Sequence, residues 1–119
     1  MPAIDPLSGS ERVTVPGHLL VGRGEHHVLR VVGDSMIEDG IYDGDYVIVL
    51  REEEPLDGDM CVCLVGDNAT LKRYYREGPV VRLQPANRFV DPIRVPAADV
   101  RVQGVVVGLM RKFQRGGAA

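Results

Sequence analysis

Short runs of aliphatic and β-branched residues, each ended by glycine, aspartate or proline, constrain the fold of this chain more than any other feature. Examples are HVLRVV, DYVIVL, MCVCLV, VVRLQ and the longer VRVQGVVVGLMRKF. They recur about every 8–12 residues, the spacing of all-β folds. The 14 glycines and 8 prolines among 119 residues disfavour long helices. We therefore predict an all-β protein: a compact, mainly antiparallel, folded sheet or partly closed barrel of about seven or eight strands.

The chain divides into three parts. Residues 1–27 are predicted to be an N-terminal leader with a possible short strand at Arg12–Val15, residues 28–113 a single folded domain, and residues 114–119 a flexible tail. Within the domain, Asp34–Asp45 is expected to form a turn or a single helical turn, because it is dense in aspartate and glycine. The last strand is expected at Val100–Phe113, with bulges at its glycines.

Composition excludes several classes of function. The net charge of −3 and the pI of about 5.5 argue against a surface that binds nucleic acid by itself. The sequence has neither an apolar run of about 18 residues nor a signal peptide, so no membrane association is expected. Cys61 and Cys63 are predicted to be free thiols on one strand face, which fits a reducing cytoplasm. No cofactor or metal site is predicted.

Ser35 and Lys72 are the candidate pair for nucleophilic catalysis. A serine hydroxyl needs a base, and a lysine is a base only where burial keeps it neutral. Ser35 follows Gly33 at a bend after a strand, which can direct the serine's own N–H towards an oxyanion. By strand alternation Lys72 shares a face with Thr70 and Tyr74. On this pattern alone, a turn serine and a surface lysine remain the simpler interpretation.

The sequence predicts structural or solvent-exposed roles for the other histidine, acidic and basic residues. His18, His26 and His27 precede the first clear strand, and no acidic partner is evident for them. The acidic run Glu38–Asp45 lacks the alternation of a calcium loop and is expected to form a solvated turn, with Asp45 fixing that turn. The basic residues of the later strands are expected at solvent-side positions; they are Arg73, Arg76, Arg82, Arg111, Lys112 and Arg115.

Several motifs occur in a characteristic order between about Val28 and Phe113. Gly-Asp-Ser-Met ends a strand, Asp-Gly-Asp precedes the next, Leu-Lys-Arg lies on a hairpin strand, and Pro-x-Asn precedes the later strands. The surrounding sequence resembles the C-terminal domain of the LexA family, from VLRVVGDSMIEDGIYDGDYVIV through to VQGVVVGLMRKF. These proteins are self-cleaving repressors of the bacterial DNA-damage (SOS) response.

The resemblance implies a Ser-Lys self-cleaving peptidase of the S24 type with the LexA/signal-peptidase fold. Ser35 corresponds to the family's nucleophile, and its backbone N–H would form the main part of the oxyanion hole. Lys72 corresponds to the general base, and Met36 would line the substrate cleft.

The resemblance also implies partners and a location. A cytoplasmic homodimer is expected, formed partly through the last strand at Val105–Met110. Self-cleavage of an Ala-Gly linker bond would be stimulated by the RecA filament. Operator DNA would be bound only through an N-terminal winged helix-turn-helix domain, which is missing from this sequence.

The sequence departs from the family in one further respect. The Ala-Gly dipeptide does not occur, and MPAIDPLSG resembles the stretch that follows the cleaved bond. We therefore expect the chain to begin near the cleavage point, with Met1 not the natural start. Two related alternatives stay open: a UmuD-type processed subunit of an error-prone polymerase, and the C-terminal domain of a temperate-phage repressor. A non-catalytic dimerisation domain is the alternative from a different class.

Overall fold

Eight β-strands form the framework of the computed structural model, which describes residues 4–6, 14–20, 22–113 and 115. The strands are β1 (Ile4–Pro6), β2 (His26–Val31), β3 (Tyr46–Leu50), β4 (Met60–Val65), β5 (Asn68–Glu77), β6 (Val80–Gln84), β7 (Ile93–Pro96) and β8 (Val100–Met110). The helical elements of the described residues are three 3-10 turns, at Gly17–Leu19, Ile37–Asp39 and Ala97–Asp99. A helix able to cross a membrane is not found in this part of the chain.

The strands form one antiparallel sheet in the order β1-β2-β3-β8-β4-β5-β6-β7. Strands β4 to β7 follow one another as neighbours, whereas β8 returns from the far edge to lie between β3 and β4. The edge strand β1 also approaches β5, so the sheet curls on itself. The predicted all-β, mainly antiparallel, folded sheet is confirmed.

Two hydrophobic clusters cover opposite faces of the sheet, because side chains alternate along each strand. In β4, Met60 and Val62 belong to the first cluster, and Cys61 and Cys63 belong to the second. The first also contains Val31, Met36, Ile41, Val47, Val49 and Leu71. The second also contains Tyr74, Val81 and Leu83. Both cysteines are buried free thiols on one strand face, as predicted.

The final strand β8 pairs irregularly at both of its glycines. Its register shifts against β4 next to Gly104 and against β3 next to Gly108, which confirms the predicted irregularities. A Cβ atom on Gly104 would lie 2.5 Å from the backbone oxygen of Leu50 and 2.5 Å from Cγ1 of Val49. Only glycine allows β3 and β8 to approach so closely at this point.

Two strand predictions need correction. The short leader strand is at Ile4–Pro6, where it pairs with β2. Of the predicted Arg12–Val15, residues 12 and 13 lie outside the described part, and Thr14 and Val15 are not in a strand. The last strand ends at Met110 instead of Phe113, because the Arg111 side chain binds away from the ladder. The division at residues 28 and 113 stays a prediction, and residues 114 and 116–119 lie outside the described residues.

Candidate active site

Ser35 lies on the bend that follows β2. Gly33 has a φ of +91°, which only glycine adopts easily, and its N–H donates to Oδ1 of Asp43 at 2.7 Å. After the serine the chain forms the 3-10 turn Ile37–Asp39, which confirms the predicted single helical turn. The bend leaves Ser35 half-buried.

The segment after β6 holds this bend in place. The Ala86 N–H donates to the carbonyl oxygen of Ser35 at 2.8 Å, and Nδ2 of Asn87 donates to the carbonyl oxygen of Asp34 at 2.9 Å. The Glu38 N–H donates in turn to the Ala86 carbonyl at 2.7 Å. Among the described residues, the N–H of Ser35 itself donates to no other group. It is therefore free to donate to a reacting oxygen.

Lys72 reaches the serine from the middle of β5. Its Nζ lies 3.2 Å from Oγ of Ser35 and 2.7 Å from Oγ1 of Thr70. The lysine is 5% exposed, and Leu71 beside it packs in the cluster on the opposite face. The predicted alternation of Thr70, Lys72 and Tyr74 on one face is therefore confirmed.

The surroundings of Lys72 disfavour its charge. Burial lowers the pKa of its ammonium group below the usual value. The nearby Cys63 does not supply a counter-charge, because burial raises the pKa of its thiol to about 12. No carboxylate forms an ion pair with Lys72 within the part of the chain that the structure describes. A neutral amine next to a serine hydroxyl can accept its proton, and Thr70 can orient that amine.

Met36 follows the serine but points into the protein interior. Its side chain is 1% exposed and belongs to the first hydrophobic cluster. It anchors the bend by packing, and its part in a substrate cleft stays a prediction.

The acidic segment is confirmed as a turn fixed by Asp45. Oδ2 of Asp45 accepts a hydrogen bond from the Tyr42 N–H at 2.8 Å. Both oxygens of this carboxylate also accept 2.7 Å hydrogen bonds from Arg111, which the sequence analysis assigned to a solvent-side position. Arg111 is exposed, as predicted, but its guanidinium group also binds this buried carboxylate.

Sequence reasoning also missed the structural parts played by Thr70 and Asn87. Thr70 is two residues from Lys72 on the same strand face, so β alternation could have suggested their contact. Asn87 is the asparagine of the Pro-x-Asn motif, but no local pattern indicates that it contacts Asp34. The described residues contain no group of three or more histidine, cysteine, aspartate or glutamate side chains that could hold a metal ion.

A buried lysine beside a serine in an all-β domain is an arrangement that a serine peptidase can use, and comparison with known families agrees with this class. The family model described as Peptidase S24-like matches residues 1–107, and the chain belongs to this family.

Curated proteins similar to this chain include LexA repressors. The chain is 45% identical to that of Zymomonas mobilis over 111 residues, which cover 92% of this chain and 51% of the relative. It is 50% identical to that of Cereibacter sphaeroides over 107 residues (88% and 47%), and 53% identical to that of Koribacter versatilis over 93 residues (77% and 44%). The predicted resemblance to the LexA family is confirmed. The chain spans about half the length of these relatives.

Proposed function

We propose that this chain is the self-cleaving and dimerising domain of a LexA-type repressor of the SOS response, with Ser35 as nucleophile and Lys72 as general base. The observation that carries the proposal is the 3.2 Å contact between Oγ of Ser35 and the amine of a 5% exposed lysine. Membership of the S24 family and similarity to LexA repressors support the same chemistry.

The proposed reaction is an acyl transfer in two stages. Neutral Lys72 accepts the Ser35 hydroxyl proton while Oγ attacks the alanine carbonyl of an Ala-Gly linker bond. The Ser35 N–H stabilises the resulting oxyanion. The C–N bond then breaks as protonated Lys72 returns a proton to the glycine amine. Water, deprotonated by the same lysine, attacks the acyl-serine ester and releases a new carboxylate.

Regulation and DNA binding belong to the whole protein in this proposal. The RecA filament would favour the state in which the linker occupies the site, which shifts a population and adds no chemistry. Cleavage would separate the dimerising half from an operator-binding domain, so that bivalent binding to DNA is lost.

The end of β8 supports a homodimer interface. Pairing with β4 stops at Val105, whereas pairing with β3 continues to Met110. One backbone edge of residues 106–110 is therefore unpaired within the described residues. Leu109 beside it is 38% exposed. An unpaired, apolar strand edge suits pairing with a second copy of the chain.

The test is cleavage, in trans, of a synthetic linker peptide that contains the Ala-Gly bond. Ser35→Ala and Lys72→Ala should each reduce kcat/KM by at least about 1,000-fold, because nucleophile and base act as a unit. Lys112→Ala is the matched control, since Lys112 is the only other lysine and is exposed. It should cleave at the wild-type rate, as measured by mass spectrometry of the products.

Two results would contradict the proposal. Cleavage by Lys72→Ala at a rate near that of Lys112→Ala would remove the lysine from the mechanism. A folded wild-type chain that leaves the peptide intact at alkaline pH would remove the activity. Circular dichroism on each variant separates lost chemistry from lost fold.

A further inference from the structure

Asn87 is a buried amide whose two ends are both engaged. The residue is 8% exposed. Its Oδ1 accepts a hydrogen bond from the Phe89 N–H at 2.9 Å, and its Nδ2 donates to the carbonyl oxygen of Asp34 at 2.9 Å. Because Oδ1 already faces an N–H donor, the amide has one favourable orientation, with Nδ2 towards Asp34.

The Asp34 carbonyl and the Ser35 N–H belong to the same planar peptide group. In a trans peptide they point in opposite directions, so fixing one fixes the other. The Ile37 N–H also donates to this carbonyl, at 3.2 Å, but that bond lies within the bend itself. Asn87 ties the carbonyl to a segment 53 residues away in the sequence.

The next carbonyl is held from the same side. The Ala86 N–H donates to the Ser35 carbonyl at 2.8 Å, so neighbouring residues 86 and 87 hold the peptide groups before and after the serine. The Ser35 N–H between these two carbonyls is unused in the described part of the chain. It is thus a donor with a fixed direction and no resident acceptor.

We propose that Asn87 is a positioning residue for the oxyanion hole: its Nδ2 holds the Asp34–Ser35 peptide so that the Ser35 N–H donates to the tetrahedral oxyanion. The inference rests on the proposed function and deepens it. A donor aimed before the reaction stabilises the transition state without reorganisation, whereas the ground-state carbonyl gains little from it. Asn87 therefore acts on the chemical step and not on peptide binding.

Asn87→Asp tests this directly. The aspartate keeps the side-chain shape and the acceptor for Phe89, but it turns an acceptor towards the Asp34 carbonyl and so repels it. We expect kcat for the linker peptide to fall about 10–100-fold, part of the loss seen when an oxyanion donor is removed. KM should stay within about twofold of the wild type. A peptide boronate, whose tetrahedral adduct occupies the hole, should bind more weakly by a similar factor in calorimetry.

Asn87→Ala gives a second, uncharged measurement. Its kcat should fall by a similar factor, while the pH midpoint of cleavage, which reports Lys72, should not move. General loosening of the site would instead hydrate Lys72 and move the midpoint upwards.

Arg88→Ala is the matched control. Arg88 joins the same two segments through Glu38, whose Oε2 accepts from the Arg88 N–H and Nε at 3.0 and 2.9 Å. Within the part of the chain that the structure describes, the hydrogen bonds of Arg88 go to Glu38 and not to the Asp34–Ser35 peptide, so kcat should stay within about twofold of the wild type.

The outcomes separate this inference from the function on which it rests. If the wild type cleaves and both Asn87 variants keep kcat within twofold, Asn87 does not position the donor. An effect on KM alone, a raised pH midpoint in Asn87→Ala, or an equal loss in Arg88→Ala would also overturn the inference. Failure of the proposed function would appear differently, as cleavage by Ser35→Ala or as a wild type that neither cleaves nor binds the boronate.

Discussion

At the scale of single residues, Lys72 stands out because it is buried without a carboxylate partner. Burial lowers the pKa of its ammonium group in the folded chain, whereas in the unfolded chain the pKa is about 10.4. Between these two values the unfolded chain binds more protons, so the free energy of unfolding increases as pH rises. At neutral pH the fold is therefore less stable than it would be with an uncharged side chain at this position.

Lys72→Met is expected to abolish cleavage and to stabilise the fold at neutral pH by about 1 kcal/mol, since methionine fills similar space without a charge. The stability difference from the wild type should shrink as pH rises towards about 10, where the lysine is neutral in both states. Urea unfolding across this pH range measures it. Lys112→Met, at an exposed site, should show no such pH dependence, and a constant difference for Lys72→Met would contradict the explanation.

The chemical identity of the site was predictable from the sequence, but its assembly was not. Ser35 and Lys72 were identified through a motif resemblance, and alternation correctly assigned Thr70 to the lysine's face. The contact between Ser35 and Lys72 depends on how the bend after β2 packs against β5. Asn87 shows the same limit, because its hydrogen bond to Asp34 joins segments that no local pattern relates.

At the scale of elements, β8 shows how a strand fits between two others. It pairs with both β3 and β4, and Gly104 lies where the Leu50 carbonyl of β3 approaches most closely. The φ of Gly104 lies outside the left-handed region, so its backbone conformation does not require glycine. Packing requires it instead, because a Cβ atom would meet the backbone of Leu50.

Gly104→Ala is expected to lower the free energy of unfolding by about 2–3 kcal/mol, because a Cβ atom at 2.5 Å forces β3 and β8 apart. Gly108→Ala is the matched comparison on the same strand. Its Cβ would lie 3.0 Å from Cδ1 of Ile48, a side-chain end that can rotate, so the loss should be smaller. Thermal unfolding of both variants tests the order, and an equal loss would show that the Leu50 contact is not the cause.

Most strands were predictable because each is a β-forming run ended by a turn residue. β4 and β5 follow this rule on either side of the turn at Gly66 and Asp67. The strand predicted at Arg12–Val15 fails at Thr14 and Val15, immediately before Pro16, which has no N–H to donate. At its other end the chain leaves β8 after Met110, because Arg111 gains a buried ionic partner that a strand pattern does not reveal.

At the scale of the whole molecule, Arg111 joins the end of β8 to the turn before β3. It donates to both oxygens of Asp45 and to the Gly40 carbonyl, each at 2.7 Å, and its guanidinium group lies 4.5 Å from the centre of the Tyr42 ring. The hydrogen bonds from Arg111 hold the pKa of Asp45 below its usual value. This carboxylate therefore stabilises the fold above the pKa that it has in the unfolded chain, and its contribution is lost as pH falls through the lowered, folded pKa.

Asp45→Asn is expected to lower the free energy of unfolding by about 2 kcal/mol at neutral pH, less than for a fully buried pair because the Arg111 side is partly exposed. The variant and the wild type should converge in acid, well below about pH 4, where the carboxylate is protonated. Urea unfolding as a function of pH measures both effects. Arg88→Ala, which breaks the exposed pair with Glu38, should change stability little, and a pH-independent loss in Asp45→Asn would contradict the assignment to its charge.

The sequence by itself determined the strand pattern, the turns and the types of residue available for chemistry, because these depend on alternation and on local backbone preference. The tertiary structure alone decided that β8 lies between β3 and β4, and that Ser35, Lys72 and Asn87 meet at one bend. Such contacts join residues far apart in the chain, and their geometry and burial arise only when the sheet curls and its two faces are covered.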